Sequence, residues 1–127
     1  MIVIDTQAWY WWVIEDPSLS KRARAAIENA DFIGVSMVSC VEFARIVARK
    51  RILLDRHALV WIRGALAFPK VRLLDITLEL AADAAYLEWR HNDPADRMIV
   101  ATAIAHDAPV ISKDARIRLF RPARAIW

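Results

Sequence analysis

The sequence predicts an α/β domain in which helices flank a mostly parallel sheet. Short apolar runs, typical of buried strands, alternate along the whole chain with longer segments of helical periodicity. Helical segments between strands favour right-handed crossovers, and therefore parallel strands, over hairpins. The chain has 127 residues, no linker and only 2 Gly, so one domain covering residues 1–127 is expected.

Five strands and the helices between them account for the chain. We predict strands at residues 2–5, 32–37, 71–76, 109–112 and 123–127. We predict helices at residues 7–15, from Ser18 or Ser20 to about residue 30, at 39–51, at 56–68, from Thr77 to about residue 91, and from Asp93-Pro94 to about residue 107. Pro69 is expected to end the fourth helix, because proline has no amide hydrogen to donate.

Charge and composition limit the class of protein. The net charge is +3, and basic residues cluster at 21–24, 45–51 and 116–121. A polyanion would suit such clusters, although solvated helix faces are the simpler interpretation of the charge alone. Charged residues interrupt every apolar stretch, so neither a transmembrane helix nor a signal peptide is predicted. The single cysteine, Cys40, cannot form an internal disulfide, and a cytoplasmic protein is expected.

Acidic residues occur where strands are predicted to end and helices to begin. Asp5 closes the first apolar run, and Asp114 follows the late run at 109–112. Glu42 and Asp96, with Asp93 close by, lie near the starts of two predicted helices. Ligands bind at the carboxyl edge of open α/β sheets, and carboxylates gathered there repel one another unless a cation lies between them. Hard oxygen ligands select Mg²⁺ or Mn²⁺ over softer metals, so the pattern predicts a metal site.

Each acid also has a structural interpretation. Ser39 and Glu42 fit a capping box, in which the glutamate accepts a bond from the amide of the capping serine. Asp93 and Asp96 fit an N-cap and a carboxylate favoured by the helix dipole. Taken singly, capping is the preferred interpretation of these motifs, and Asp114 fits a plain turn. Capping and metal binding are compatible, because helix N-termini and strand C-termini share one edge of a parallel sheet.

Four segments, in this order, resemble the PIN domain, and specifically the toxin nucleases of VapBC-type toxin–antitoxin systems. They are residues 2–9 (IVIDTQAW), 35–44 (VSMVSCVEFA), 93–103 (DPADRMIVATA) and 110–114 (VISKD). The closing residues 124–127 are similar to the last strand of the family. The resemblance covers essentially the whole chain and implies a single PIN-like domain with a five-stranded sheet ordered 3-2-1-4-5.

The resemblance implies roles for particular residues. The catalytic acids would be Asp5, Glu42, Asp96 and Asp114, the metal ligands Asp5, Asp96 and Asp114, and the auxiliary residues Asp93, Thr6, Arg97 and Ser112. Thr6 and Ser112 would line the site, and Arg97 would steady a carboxylate or a scissile phosphate. Relatives often have histidine where this chain has Gln7, which cannot titrate near neutrality.

The resemblance also implies an activity and partners. It implies a Mg²⁺-dependent endoribonuclease, with Mn²⁺ able to substitute, that cuts RNA to leave a 5′ phosphate. A small antitoxin and a second copy of the chain are the expected protein partners, and no membrane is involved. His57, His91 and His106 are expected to be surface or packing residues. The alternative is a non-catalytic PIN-like module that binds RNA or protein; retention of all four acids favours the enzyme.

Overall fold

A computed structural model describes all 127 residues. It contains four strands: β1 (Ile2–Ile4), β2 (Ile33–Ser36), β3 (Val71–Leu74) and β4 (Val110–Ile111). It also contains seven α-helices: α1 (Thr6–Val13), α2 (Lys21–Asn29), α3 (Met37–Ala48), α4 (Ala58–Leu66), α5 (Leu78–Tyr86), α6 (Pro94–Ala105) and α7 (Ala115–Leu119). A 3₁₀ turn covers Arg121–Ala123. None of these helices combines the length and apolar character that a membrane crossing requires.

The sheet is parallel throughout, in the order β3-β2-β1-β4. The chain builds outwards from β1 to β2 and β3, and then returns to place β4 on the other side of β1. The strand order therefore reverses between β1 and β4, which is the kind of position where open α/β sheets bind ligands. The predicted α/β class and parallel pairing are confirmed.

The predicted fifth strand is wrong as a strand. The chain after β4 instead forms α7 and the 3₁₀ turn, and Arg124 follows in a left-handed conformation with φ of 47°. Only Ile126 then pairs with β4, through one isolated parallel bridge to Ile111. Pro122 cannot donate to a sheet and the turn consumes the residues before Arg124, so too few residues remain for a longer pairing.

Alternation along β1 divides the core between the two faces of the sheet. Ile2 and Ile4 pack with Trp9 of α1 and Phe43 of α3, whereas Val3 packs on the other face with Ile99 of α6. All six of these residues are buried. Successive side chains of a strand point to opposite faces, so a run of three apolar residues serves two helical layers. This double burial fixes the end of β1, and with it the position of Asp5.

Two predicted helix boundaries shift for identifiable reasons. The helix predicted at 39–51 begins at Met37, because β2 runs directly into α3 at Ser36. The helix predicted to reach about residue 91 ends at Tyr86, because its last carbonyls are bound by the side chain of Arg97. The short helix α7, which follows β4, was not predicted.

Candidate active site

Three aspartates at the carboxyl edge of the sheet are N-caps of helices. Asp5 Oδ1 accepts from the amide of Ala8 at 2.7 Å, at the start of α1. Asp93 Oδ1 accepts from the amide of Asp96 at 2.9 Å, at the start of α6. The predicted cap at Asp93 is confirmed. These bonds satisfy amides that have no partner within the helix, and they also fix where each carboxylate lies.

Asp114 caps α7 in the same way and carries an additional ion pair. Its Oδ1 accepts from the Arg116 amide at 2.7 Å, and its Oδ2 accepts from Arg116 Nη2 at 2.6 Å. The Arg116 side chain lowers the pKa of Asp114. Asp114 is therefore a helix cap rather than a plain turn residue, and its carboxylate is charged.

Glu42 has no capping role, so the capping-box interpretation is wrong. The N-cap of α3 is Ser36, and Ser39 is the third residue inside the helix. The Ser39 hydroxyl is buried and has no hydrogen-bond partner. Glu42 is half-buried one turn further along, and burial is the largest cause of the rise in its pKa. No structural role on α3 therefore accounts for Glu42.

Asp5 is the most buried acid of the group, with 7% of its surface exposed. Burial raises its pKa to about 6, although the Ser112 hydroxyl and the Ala8 amide act in the opposite direction. The negative charges of Asp96 and Glu42 raise the pKa further. The structure thus brings Asp5, Glu42 and Asp96 close enough for each charge to disfavour the others.

His91 is a site residue that the sequence did not reveal. Its Nε2 lies 2.5 Å from Asp96 Oδ2, and only 8% of its side chain is exposed. Burial is the largest cause of the raised pKa of Asp96, and the bond from His91 partly offsets it. The expectation that His91 is only a surface or packing residue is therefore incomplete. The spacing of five residues to Asp96 is the only signal in the sequence, and it matches no common motif.

Arg97 does not reach a carboxylate. Its guanidinium donates to five backbone carbonyls, those of Ala84, Ala85, Leu87, Trp89 and His91, at 2.7 to 3.1 Å. These bonds end α5 and hold the irregular segment that carries His91. The predicted contact of Arg97 with a carboxylate or a scissile phosphate is not what the structure shows; Arg97 instead holds the backbone beside Asp96.

Two buried hydroxyls lie beside acids of the site, Ser112 beside Asp5 and Thr6 beside Glu42. Ser112 and Thr6 are buried, as predicted for residues that line the site. Ser112 Oγ accepts from the Asp114 amide at 3.1 Å, whereas the buried hydroxyl of Thr6 lowers the pKa of Glu42 but is not within hydrogen-bond distance of any partner. Leaving a buried hydroxyl unpaired costs about 1–3 kcal/mol. The unpaired Thr6 and Ser39 hydroxyls therefore mark places where a bound water or ligand oxygen would be favourable.

The donor set fits Mg²⁺, although the acids do not form a closed cage. No group of three or more His, Cys, Asp or Glu side chains is arranged to hold one ion. Asp5, Asp96 and Asp114 are each bound to a local partner, namely a helix amide, His91 and Arg116 respectively. Mg²⁺ typically keeps several waters and binds one or two carboxylates directly, so a closed cage is not required. The all-oxygen acids and the unpaired hydroxyls meet this requirement.

Comparisons with known proteins agree with the fold. A family model for the PIN domain matches residues 2–121. Ribonuclease VapC22 of Mycobacterium tuberculosis is 37% identical over 126 residues, which cover 98% of this chain and 95% of that protein.

Solved structures also share the fold. A crystal structure of VapBC2 from Rickettsia felis, bound to a DNA fragment from their promoter, has a TM-score of 0.70 at 13% identity and covers 98% of this chain and 97% of that chain. A toxin–antitoxin complex from Klebsiella pneumoniae has a TM-score of 0.67 at 21% identity, with 96% and 94% covered. The chain therefore belongs to the PIN-domain family, as its four sequence segments predict, and is homologous to VapC-type ribonucleases.

Proposed function

We propose that this chain is a Mg²⁺-dependent endoribonuclease and the toxin of a VapBC-type toxin–antitoxin pair. The observation that carries the proposal is the group of Asp5, Glu42 and Asp96, each with a raised pKa, at the switch point of the sheet. Perturbed acids gathered in this way are typical of catalytic sites. The homology to a ribonuclease over nearly the whole chain supports RNA as the substrate.

The surroundings of each acid indicate its role in metal binding or proton transfer. Asp5 and Asp96 would hold the ion directly, and Asp114 would complete its surroundings on the side of β4. A divalent cation bound there would supply positive charge to the scissile phosphate and the attacking water. Glu42 is half-buried with a raised pKa, so its carboxylate is suited to accept the proton that the water loses. Asp93 would stay on the helix cap, and His91 would keep Asp96 oriented.

The antitoxin would bind an apolar groove between α1 and α4. This groove has a volume of about 590 Å³, and its lining includes Tyr10, Val13, Val60, Trp61 and Phe68. Val60 and Phe68 are exposed although they are apolar, which favours a protein partner. A homodimer would use a different surface, on α5, where Leu78 and Tyr86 are 87% and 86% exposed.

The proposal is tested by cleavage of labelled single-stranded RNA by the purified protein. We expect cleavage with Mg²⁺ or Mn²⁺, none with EDTA, and 5′ phosphates on the new ends. Asp5→Asn, purified in the same way, controls for contaminating ribonucleases. Equal cleavage in EDTA would contradict the metal mechanism. RNA binding without cleavage under any metal condition would favour the non-catalytic module instead.

A further inference from the structure

One face of α3 connects the acidic site to a set of cations. Glu42, Arg45 and Arg49 are spaced by three and four residues, so they lie in line along the helix. With a rise of about 1.5 Å per residue, Arg49 lies roughly 10 Å from Glu42 along the axis. The helix thus leads from a catalytic acid to two exposed guanidinium groups.

The end of α3 adds a third cation to the same face. Lys50 adopts a left-handed conformation with φ of 57°, where glycine is more usual. Its amide donates to Val47 O at 2.9 Å, and the amide of Arg51 donates to Ile46 O at 3.1 Å. These two bonds form a Schellman motif, which turns the chain back over the last turn of α3. Arg51 is thereby placed beside Arg49 by the backbone.

The three arginines line one groove together with the acids. This groove has a volume of about 260 Å³ and is lined by Glu42, Arg45, Ile46, Arg49, Arg51 and Asp93. The ion pairs of the structure involve other residues, namely Arg56, His91, Arg116 and Arg124 with their acidic partners. No carboxylate therefore forms an ion pair with Arg45, Arg49 or Arg51, although the charge of Arg45 lowers the pKa of Glu42. We refer to these three residues as the α3 arginines.

We propose that the α3 arginines bind the phosphates of the RNA that flank the scissile phosphate on the Glu42 side of the site. The inference rests on the proposed ribonuclease function and extends it by naming the path of the RNA on one side of the acids, along α3. Arginine matches phosphate geometry through two parallel donors, and unpaired guanidinium groups in a groove leave those donors free. The groove opens at Glu42, so a chain bound by the arginines continues directly into the acids.

A purely local role for these charges is the alternative. Arg45 lies in the last turn of α3, where a cation interacts favourably with the helix dipole. That interaction stabilises the helix and does not change its affinity for RNA. The same interaction extends to Arg49 and Arg51, which lie at and just beyond the C-terminus of α3. Stability and RNA affinity therefore separate the two roles.

The test compares two double variants with the same loss of charge. Arg45→Gln with Arg49→Gln removes two of the α3 arginines. Arg63→Gln with Arg72→Gln is the matched control, because both residues are exposed, form no ion pair, and lie outside the groove and outside the basic clusters. Cleavage of a short single-stranded RNA with Mg²⁺ gives KM and kcat, and fluorescence anisotropy with Ca²⁺ gives the dissociation constant without relying on turnover.

We expect the α3 variant to raise KM and the dissociation constant at least tenfold at low salt while kcat changes less than threefold. Because each phosphate contact contributes about 0.7 to the salt slope on single strands, the slope of log Kd against log[KCl] should fall by about 1.4. The control variant should match the parent in KM, kcat, the dissociation constant and the salt slope.

The outcomes distinguish this inference from the proposed function. If the parent cleaves RNA and the α3 variant matches the control, the arginines do not bind RNA and the ribonuclease assignment stands. If the parent binds RNA without cutting it, and the α3 variant binds more weakly than the control, the inference stands and the nuclease assignment fails. An absence of RNA binding by the parent would overturn both. If both variants weaken RNA binding equally, the effect comes from net charge alone, and the inference is overturned.

Discussion

At both the β1–α1 junction and the β4–α7 junction, an aspartate after a strand caps the next helix. The pKa of the aspartate is raised at the first junction and lowered at the second. In each, a buried strand is followed by an aspartate that caps the next helix through a hydrogen bond of 2.7 Å. Asp5 is almost fully buried, and its pKa is raised to about 6. The Asp114 side chain is 27% exposed, and Arg116 lowers its pKa.

The position of each aspartate and its pKa have different physical causes. The helix cap fixes the position of both carboxylates, although Asp5 accepts from the third residue of its helix and Asp114 from the second. Burial and a neighbouring cation then set the charge, and they act in opposite directions. Asp5 has no cationic partner in the chain, and a bound divalent cation would supply one. A cation bound at this edge of the sheet would therefore stabilise the charge of Asp5 more than that of Asp114.

The largest effect is expected from Asp5→Asn. Asparagine is as good an N-cap as aspartate, so α1 should keep its cap while the charge is removed. We expect RNA cleavage to fall about 10³-fold, which corresponds to roughly 4 kcal/mol. The melting temperature in EDTA should stay the same or rise, because a buried carboxylate beside Asp96 and Glu42 is costly. Clear destabilisation in EDTA would instead assign Asp5 a structural role.

Glu42→Gln tests whether the acid without a capping role behaves like Asp5. Glu42 makes no cap bond, so both Glu42→Gln and Glu42→Ala should leave the unfolding free energy within about 0.5 kcal/mol of the parent. Cleavage by Glu42→Gln should fall about 10²-fold, the usual contribution of a positioned base. The measurements are urea unfolding and single-turnover cleavage. Near-parental cleavage would remove Glu42 from the site.

The pH dependence of stability should expose the raised pKa of Asp5. Its pKa rises from 3.8 unfolded to about 6 folded, so the folded state binds the proton more tightly. The stabilisation is complete below about pH 4 and is lost as the pH rises through 6, by at most about 3 kcal/mol. In EDTA, the parent should therefore lose more stability between pH 4.5 and 7 than Asp5→Asn, which lacks the titrating group. Parallel profiles for the two proteins would contradict the raised pKa.

The smallest effect is expected from Arg116→Gln, at the β4 junction. Removing the guanidinium should raise the pKa of Asp114 toward its ordinary value, which carboxyl NMR can follow. The pair is largely exposed, so the loss of stability should be under about 1 kcal/mol, and cleavage should change less than about threefold. An unchanged pKa of Asp114 would show that the cap bond alone lowers it.

The sequence predicts the parts of the site that depend on local spacing. Asp93, Pro94 and Asp96 form a helix start within four residues, and the structure confirms it. Asp5 and Asp114 follow apolar runs, and parallel pairing brings their strands together. Periodicity and capping therefore suffice to place these acids on one edge of the sheet.

Other features depend on contacts between distant or irregular segments. Arg97 ends α5 by binding carbonyls up to thirteen residues earlier, and no local pattern records this. The same contacts position His91 against Asp96, so the role of that histidine is also hidden. The predicted fifth strand is absent for a related reason. The 3₁₀ turn includes Ala123, the residue at which the apolar pattern begins that strand.

Manganese binding measured by electron paramagnetic resonance tests the central claim most directly, namely that the acids at the switch point hold a divalent cation. We expect the parent to bind Mn²⁺ at pH 7 and to release it when Mg²⁺ is added in excess. Asp5→Asn should bind at least tenfold more weakly, and Asp114→Asn should bind only a fewfold more weakly. The absence of Mn²⁺ binding by the parent, or parental affinity in Asp5→Asn, would contradict the account.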